Sequence, residues 1–172
     1  MMTPDQMISN HFVAGSLPEL PRNHFIDGVF VAADSGSRME SFDAGTGEAF
    51  AEFAAGSAAD VDHAVASAAK GFEVWRNTPP ARRCTILNEA ARLMRAEADR
   101  LAVVESIDSG KTLAEAQGDV AGSARLFEYY AGAAAKLDGR SVNLGKGNAA
   151  FTLLELVGVT AHIVPWNYPT ST

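Results

Sequence analysis

The chain has 172 residues, 47% hydrophobic and 20% charged, with 15 Gly and 7 Pro, which excludes disordered and collagen-like classes. Its 31 alanines leave about 29% larger apolar residues, enough core for one domain or a piece of a larger one. A net charge of −7 excludes the basic footprint of a nucleic-acid binder, and one cysteine excludes a disulfide framework or Cys-based zinc cage and suits the reducing cytoplasm.

Residues 1–20 contain no Lys or Arg, so no secretory leader is readable. Pro4, Pro18 and Pro21 act as breakers and predict an irregular arm over 1–24. Two β-rich pieces within 25–31 flank Asp27-Gly28, the strongest short hairpin signal. A second turn, Asp43-Ala44-Gly45-Thr46-Gly47-Glu48, precedes a strand over 49–53. The pattern then changes to helices. Ser57-x-x-Asp60 has the form of a capping box, and Val61, Ala64, Val65, Ala68, Ala69, Phe72 and Trp75 recur along one helical face. Thr78 is the expected N-cap of a second helix, with Pro79 and Pro80 in its first turn and Ile86, Leu87, Ala90, Leu93 and Met94 continuing it. Leu101, Val104 and Ile107 carry a third helix to a glycine cap at Gly110, and a fourth runs over 113–137. Segments 142–144 and 150–156 flank Gly145-Lys146-Gly147-Asn148 as a hairpin. The apolar run 157–164 predicts a strand buried on both faces, the mark of a parallel sheet, and a turn over 165–169 follows it. The most apolar window, 149–165, contains Glu155 and His162 and is short for a membrane span.

Several motifs suggest chemistry and fail on spacing. Ser109-Gly110-Lys111-Thr112 has the ending of a phosphate-binding loop, but position 105 is Glu where the loop needs Gly, and a helix precedes it instead of a strand. The expectation is a helix cap followed by a solvated lysine. Neither Gly45-Thr46-Gly47 nor Gly145-Lys146-Gly147 completes a dinucleotide fingerprint. Cys84 follows Arg82 and Arg83, which could activate a thiol, but without a convergent His it reads as a structural cysteine. His11, His24, His63 and His162 show no metal-ligand spacing, so no metal site is expected; His162 reads as a core or interface histidine. Asn167 follows the predicted buried strand at its carboxyl end, where open α/β sheets place ligands. From the residues alone, two readings stand: a donor to a developing oxyanion, or an asparagine in a turn.

Ordered blocks decide between them. Phe25-Ile26-Asp27-Gly28, Thr46-Gly47-Glu48, Phe72-x-x-Trp75, Pro79-Pro80-Ala81-x-Arg83 and Asp108-Ser109-Gly110-Lys111 come first. Gly118-Asp119-Val120, Tyr129-Tyr130-Ala131-Gly132, Gly158-Val159 and Pro165-Trp166-Asn167-Tyr168-Pro169 follow. In this series the chain resembles the amino-terminal part of the NAD(P)-dependent aldehyde dehydrogenase superfamily over 25–169. The resemblance implies an incomplete α/β fold: β-hairpins, a four-helix segment, an oligomerisation hairpin and the first strand of a Rossmann-like cofactor domain. It divides the chain into an arm over 1–24, part of the cofactor-binding domain over 25–141, the oligomerisation hairpin over 142–156 and the start of the Rossmann-like sheet over 157–172.

The resemblance also implies oxidation of an aldehyde to a carboxylic acid through a cysteine thioester, with NAD or NADP as cofactor. Asn167 matches the oxyanion-binding asparagine, and Ile163, Val164, Pro165 and Trp166 match the segment lining the cofactor site. The nucleophilic cysteine and general-base glutamate have no counterpart here, and Cys84 does not correspond to the nucleophile. A small-molecule aldehyde is the expected partner, with no nucleic acid and no membrane, and a homo-oligomer through 142–156 is expected of the full-length protein. Two departures stand out: no proline precedes Thr46-Gly47-Glu48, and Leu153-Leu154-Glu155-Leu156-Val157-Gly158 replaces a common Arg-x-Glu-Pro-x-Gly pattern. The alternatives are a truncated, inactive product that associates with full-length subunits, or an independent helical binding module.

Overall fold

The computed structural model describes residues 2–14, 17 and 20–171. The first element corrects the expected irregular arm: α1 spans Pro4–Ala14. Pro4 occupies the first helical position, where its missing N–H costs nothing. Thr3 and Gln6 cap it reciprocally, the Thr3 N–H donating to Gln6 Oε1 at 2.8 Å and the Gln6 N–H to Thr3 Oγ1 at 3.3 Å. Pro4 starts a helix rather than breaking one, and Pro18 lies outside the described residues.

The Asp-Gly hairpin forms as expected. Strands β1 (His24–Ile26) and β2 (Val29–Val31) pair antiparallel around Asp27 and Gly28. Both turn residues take positive φ, 55° and 79°, the pair of conformations a two-residue hairpin turn demands. Strands β3 (Arg38–Phe42) and β4 (Ala49–Ala54) pair across the second turn, with an irregularity between Ser41 and Phe42.

Four helices follow. α2 (Ala58–Arg76) starts on the expected capping box of Ser57 and Asp60. Asp60 also accepts from the Asp34 N–H at 2.9 Å, tying the helix start to the preceding loop. These three donated hydrogen bonds, from the Ser57 backbone, the Asp34 backbone and the Ser57 hydroxyl, hold the Asp60 carboxyl down at about 2. α3 (Pro80–Ala96) is capped at Pro79 without a side-chain bond, which corrects the expected Thr78 cap. The Thr78 hydroxyl instead donates back to the Val74 carbonyl at 2.8 Å, closing α2. Arg83 joins the two helices, its guanidinium 3.2 Å from the carbonyls of both Trp75 and Arg76 and lying over the Trp75 ring. α4 (Ala98–Ser109) and α5 (Leu113–Ala133) complete the set. α5 stops four residues short of the expected end, and Leu137 beyond it is exposed.

α4 is the central helix. Its Val103 and Ile107 pack with Leu17, Phe50 and Ala51, while Ala102 packs with Ala116 and Val120 of α5. Leu113 touches both clusters. α1 lies against α4, and α5 packs on both α3 and α4.

The last segment departs most from expectation. Strands β5 (Ser141–Asn143) and β6 (Ala149–Phe151) form a shorter hairpin than predicted, exposed at every residue. Residues 157–164 form no strand and are not buried: Val157 is 92% and Ile163 99% exposed. Among the described residues each sheet has only two strands, and none pairs with this run. An apolar run becomes a buried strand only where neighbours pair and cover it. No described helix is long and apolar enough to cross a membrane.

Candidate functional site

The corner between α4 and α5 is built from a stop signal and a start signal. Gly110 takes φ 74° and donates to the Ser106 carbonyl, ending α4 in the left-handed region. A Cβ there would stand 3.0 Å from the Ala44 Cβ, so the position favours glycine for space as well as conformation. Thr112 and Glu115 then form the capping box of α5. Lys111 is left between the two caps, its carbonyl fixed by the Ser106 hydroxyl at 2.8 Å.

Lys111 is the centre of the site, and it is not the solvated lysine expected. Its Nζ lies 2.6 Å from Glu105 Oε1 and 2.6 Å from Asp119 Oδ2. The Glu105 side chain is 2% exposed and that of Lys111 12%. Burial by itself lowers the ammonium's pKa, but the two carboxylates outweigh it and raise the pKa above its ordinary 10.5. Two of the ammonium's three N–H groups are taken by carboxylates, whose negative charge offsets its own and would repel a phosphate, so the loop does not have the character of a nucleotide cradle.

The C-terminal turn closes over this pair. Tyr168 places its ring over the Lys111 ammonium, 4.6 Å from Nζ to the centroid. The Thr170 hydroxyl donates to Glu105 Oε2, and the Ser123 hydroxyl lies 2.8 Å from the Thr170 carbonyl. The Tyr168 N–H reaches back to the Pro165 carbonyl at 3.3 Å, making the turn in which Asn167 sits. Asn167 is exposed at the rim of a cleft of about 320 Å3 shared with Gly110, Lys111, Asp119 and Tyr168.

The remaining predicted site residues do not converge. Ile163, Val164 and Trp166 are exposed along an extended run leading to the turn. His162 is exposed in this chain, 3.0 Å from the Thr160 hydroxyl, and so lies outside its core. Cys84 is half-buried beside the Asn88 amide at 3.4 Å, while Arg83 faces the end of α2. Among the described residues no group of three or more His, Cys, Asp or Glu side chains is arranged to hold a metal.

The pattern of residues gave no role to Glu105, Ser123 or Thr170, and marked Asp119 only as part of an ordered block. Glu105 is the informative case: a carboxylate among Leu101, Val104 and Ile107, on a helix buried nearly all round, has to find a cation.

Comparison with known proteins gives a consistent result. The model of the aldehyde dehydrogenase family matches residues 30–172. The chain is 40% identical over 145 residues to a hydroxyisobutyraldehyde dehydrogenase of Mycolicibacterium austroafricanum, covering 84% of this chain and 29% of that protein. Among solved structures, an NAD-dependent aldehyde dehydrogenase from Sinorhizobium meliloti superposes with a TM-score of 0.84 at 36% identity, over 87% of this chain and 31% of that one. A P. syringae indole-3-acetaldehyde dehydrogenase in complex with NAD+ matches 99% of this chain and 34% of its own, with a TM-score of 0.88 at 31% identity. The chain thus spans about a third of the length of these relatives.

Proposed function

This chain belongs to the aldehyde dehydrogenase family, and from that premise we propose that it is the N-terminal portion of an enzyme oxidising an aldehyde to a carboxylic acid through a cysteine thioester. The observation that supports the reading is the exposed Asn167 amide at the rim of the Lys111 cleft, in a turn docked on α4 and α5. When a cysteine thiolate adds to an aldehyde, the carbonyl oxygen takes up the negative charge. An amide N–H donor fixed beside that oxygen stabilises the charge where it develops. Loss of hydride from the carbon then gives a thioester, and water releases the acid and the thiolate. The thiolate and the general base come from residues that have no counterpart in this chain.

Ile163, Val164, Pro165 and Trp166 fit part of a dinucleotide site, because an exposed apolar strip beside an amide suits the flat faces of a cofactor's rings. Bound NAD or NADP supplies the hydride acceptor. Neither glycine-bearing turn, Gly45-Thr46-Gly47 or Gly145-Lys146-Gly147, completes a fingerprint for its phosphates. The exposed apolar residues from Phe151 to Trp166 favour a second reading, an inactive chain associated with longer subunits of the same family.

The test joins this chain to the remaining length of the Sinorhizobium meliloti enzyme. The chimera should reduce NAD in the presence of aldehyde, and the 172-residue chain alone should not. In the chimera, Asn167→Ala should lower kcat by about 10²-fold and change the cofactor KM little. An unchanged kcat, with a deuterated aldehyde showing that hydride transfer limits turnover, would remove the assigned role. Activity in the chain alone that Cys84→Ser abolishes would replace the proposal with a different nucleophile.

A further inference from the structure

We propose that Lys111, Glu105 and Thr170 form a tether that positions Asn167, an inference that rests on the oxyanion reading of that residue. The turn carrying Asn167 has little apolar anchorage of its own. Trp166 is 78% exposed and Tyr168 50%, and the run that leads into them is exposed throughout. What fixes the turn is polar and comes from the residues after Asn167. Thr170 donates through its hydroxyl to Glu105, its carbonyl meets the Ser123 hydroxyl, and the Tyr168 ring lies on the Lys111 ammonium. Asn167 precedes the first of these anchors by one residue.

The anchoring side is rigid. Glu105 stands on α4 between Val104 and Ile107, and Asp119 and Ser123 stand one turn apart on α5. Lys111 is held at the corner between the caps of those helices, so its ammonium is a fixed point that gathers both carboxylates. One Glu105 oxygen serves Lys111 and the other serves Thr170. A buried carboxylate satisfied on both oxygens has one low-energy arrangement, and the turn is part of it. Lys111, Glu105 and Thr170 are positioning residues, because they act on the reaction only through Asn167.

The test measures release of the turn in the 172-residue chain. Chymotrypsin cleaves after Trp166 only when several residues on either side can be drawn out, so cutting at Trp166–Asn167 requires Tyr168 and Thr170 to let go. Release of peptide 167–172 is timed by mass spectrometry against cleavage after Phe127 within α5. Thr170→Val should speed the cut at Trp166 by about tenfold or more, as expected for a lost hydrogen bond to a charged group, and leave the α5 cut unchanged. Thr170→Ser, which keeps the hydroxyl, should restore the slow rate. Tyr168→Leu, which lifts the ring off the Lys111 ammonium and keeps its ion pairs with Glu105 and Asp119, provides a second release.

Unchanged cutting in both Thr170→Val and Tyr168→Leu would overturn the tether. So would equal acceleration at both sites, which reports general loosening, or failure of Thr170→Ser to restore the rate. Asn167→Ala should leave unaltered the ratio of this cutting rate to that of the free peptide 160–172 carrying the same change, so the tether and the oxyanion role fail separately. A tether confirmed alongside an unaffected chimera kcat would remove only the role of Asn167. A tether lost alongside a lowered kcat would remove only the positioning.

Discussion

His11 Nε2 lies 2.9 Å from Asp43 Oδ2, and both side chains are buried. This bond joins α1 to the turn between β3 and β4, elements separated by the whole first hairpin. Burial alone would raise the Asp43 carboxyl. The His11 bond and the N–H groups of Gly45 and Thr46 outweigh it and hold the carboxyl below its ordinary 3.8. His11→Leu should therefore cost about 2–3 kcal/mol, the scale of a hydrogen bond to a charged group. Urea unfolding of wild type and variant checks this, and a difference below about 0.5 kcal/mol would mean α1 contributes nothing through this contact.

Acid should act on Asp60 over a defined window. Its folded value of about 2 lies below the ordinary 3.8, so its stabilisation is complete above 3.8 and is lost as pH falls toward 2. The slope of stability against pH between 3.8 and 2 should be shallower in Asp60→Asn than in wild type. Ser57→Ala, which removes the other half of the box, should cost about 1 kcal/mol at neutral pH. Equal slopes in the two proteins would count against the Asp60 hydrogen bonds.

Two glycines should respond in opposite directions to the same change. Gly110→Ala puts a Cβ at φ 74° and 3.0 Å from Ala44, and should destabilise by about 1–2 kcal/mol. Gly118 lies inside α5 with nothing within 4 Å of its added Cβ, so Gly118→Ala should stabilise by about 0.5–1 kcal/mol. Thermal melts of the pair against wild type decide both signs.

The chain should associate in solution. Phe151, Leu153, Leu154, Val157, Ile163 and Trp166 are all more than 60% exposed and lie within sixteen residues. Such a patch exceeds what a soluble monomer ordinarily leaves uncovered. Size-exclusion chromatography with light scattering should show oligomers or aggregates that bind an apolar dye, together with a helical circular dichroism spectrum. A sharp monomer peak with a cooperative melt would contradict this and support an independent module.

Local signals were legible in the sequence where they act locally. The Asp27-Gly28 turn, the Ser57 box and the Gly110 cap involve residues within four positions of each other, and each forms as read. Thr3-Pro4-Asp5-Gln6 carries a helix start just as plainly, with Pro4 a first-turn residue and not a breaker. The run 157–164 misled for the opposite reason. Its composition suits a buried strand, but burial depends on neighbours that no composition specifies. For the site, the ordered blocks gave Asn167 and the loop at Lys111, while the contacts of Glu105 with Lys111 and Thr170 bridge 6 and 65 positions and follow only from how α4 packs.

α4 buries Ala102, Val103, Glu105 and Ile107 at once, so its core positions and its tether position are set by a single helical phase. Adding or removing one residue in α4 turns everything beyond it by about 100°. Glu105 would leave Lys111 in the same step that carries Ile107 away from Phe50. Insertions and deletions there should be excluded over the life of the gene, while side chains can still be exchanged one at a time. The segment over 134–148, exposed apart from the half-buried Ala134, is where changes in length can accumulate without touching either the core or the turn that carries Asn167.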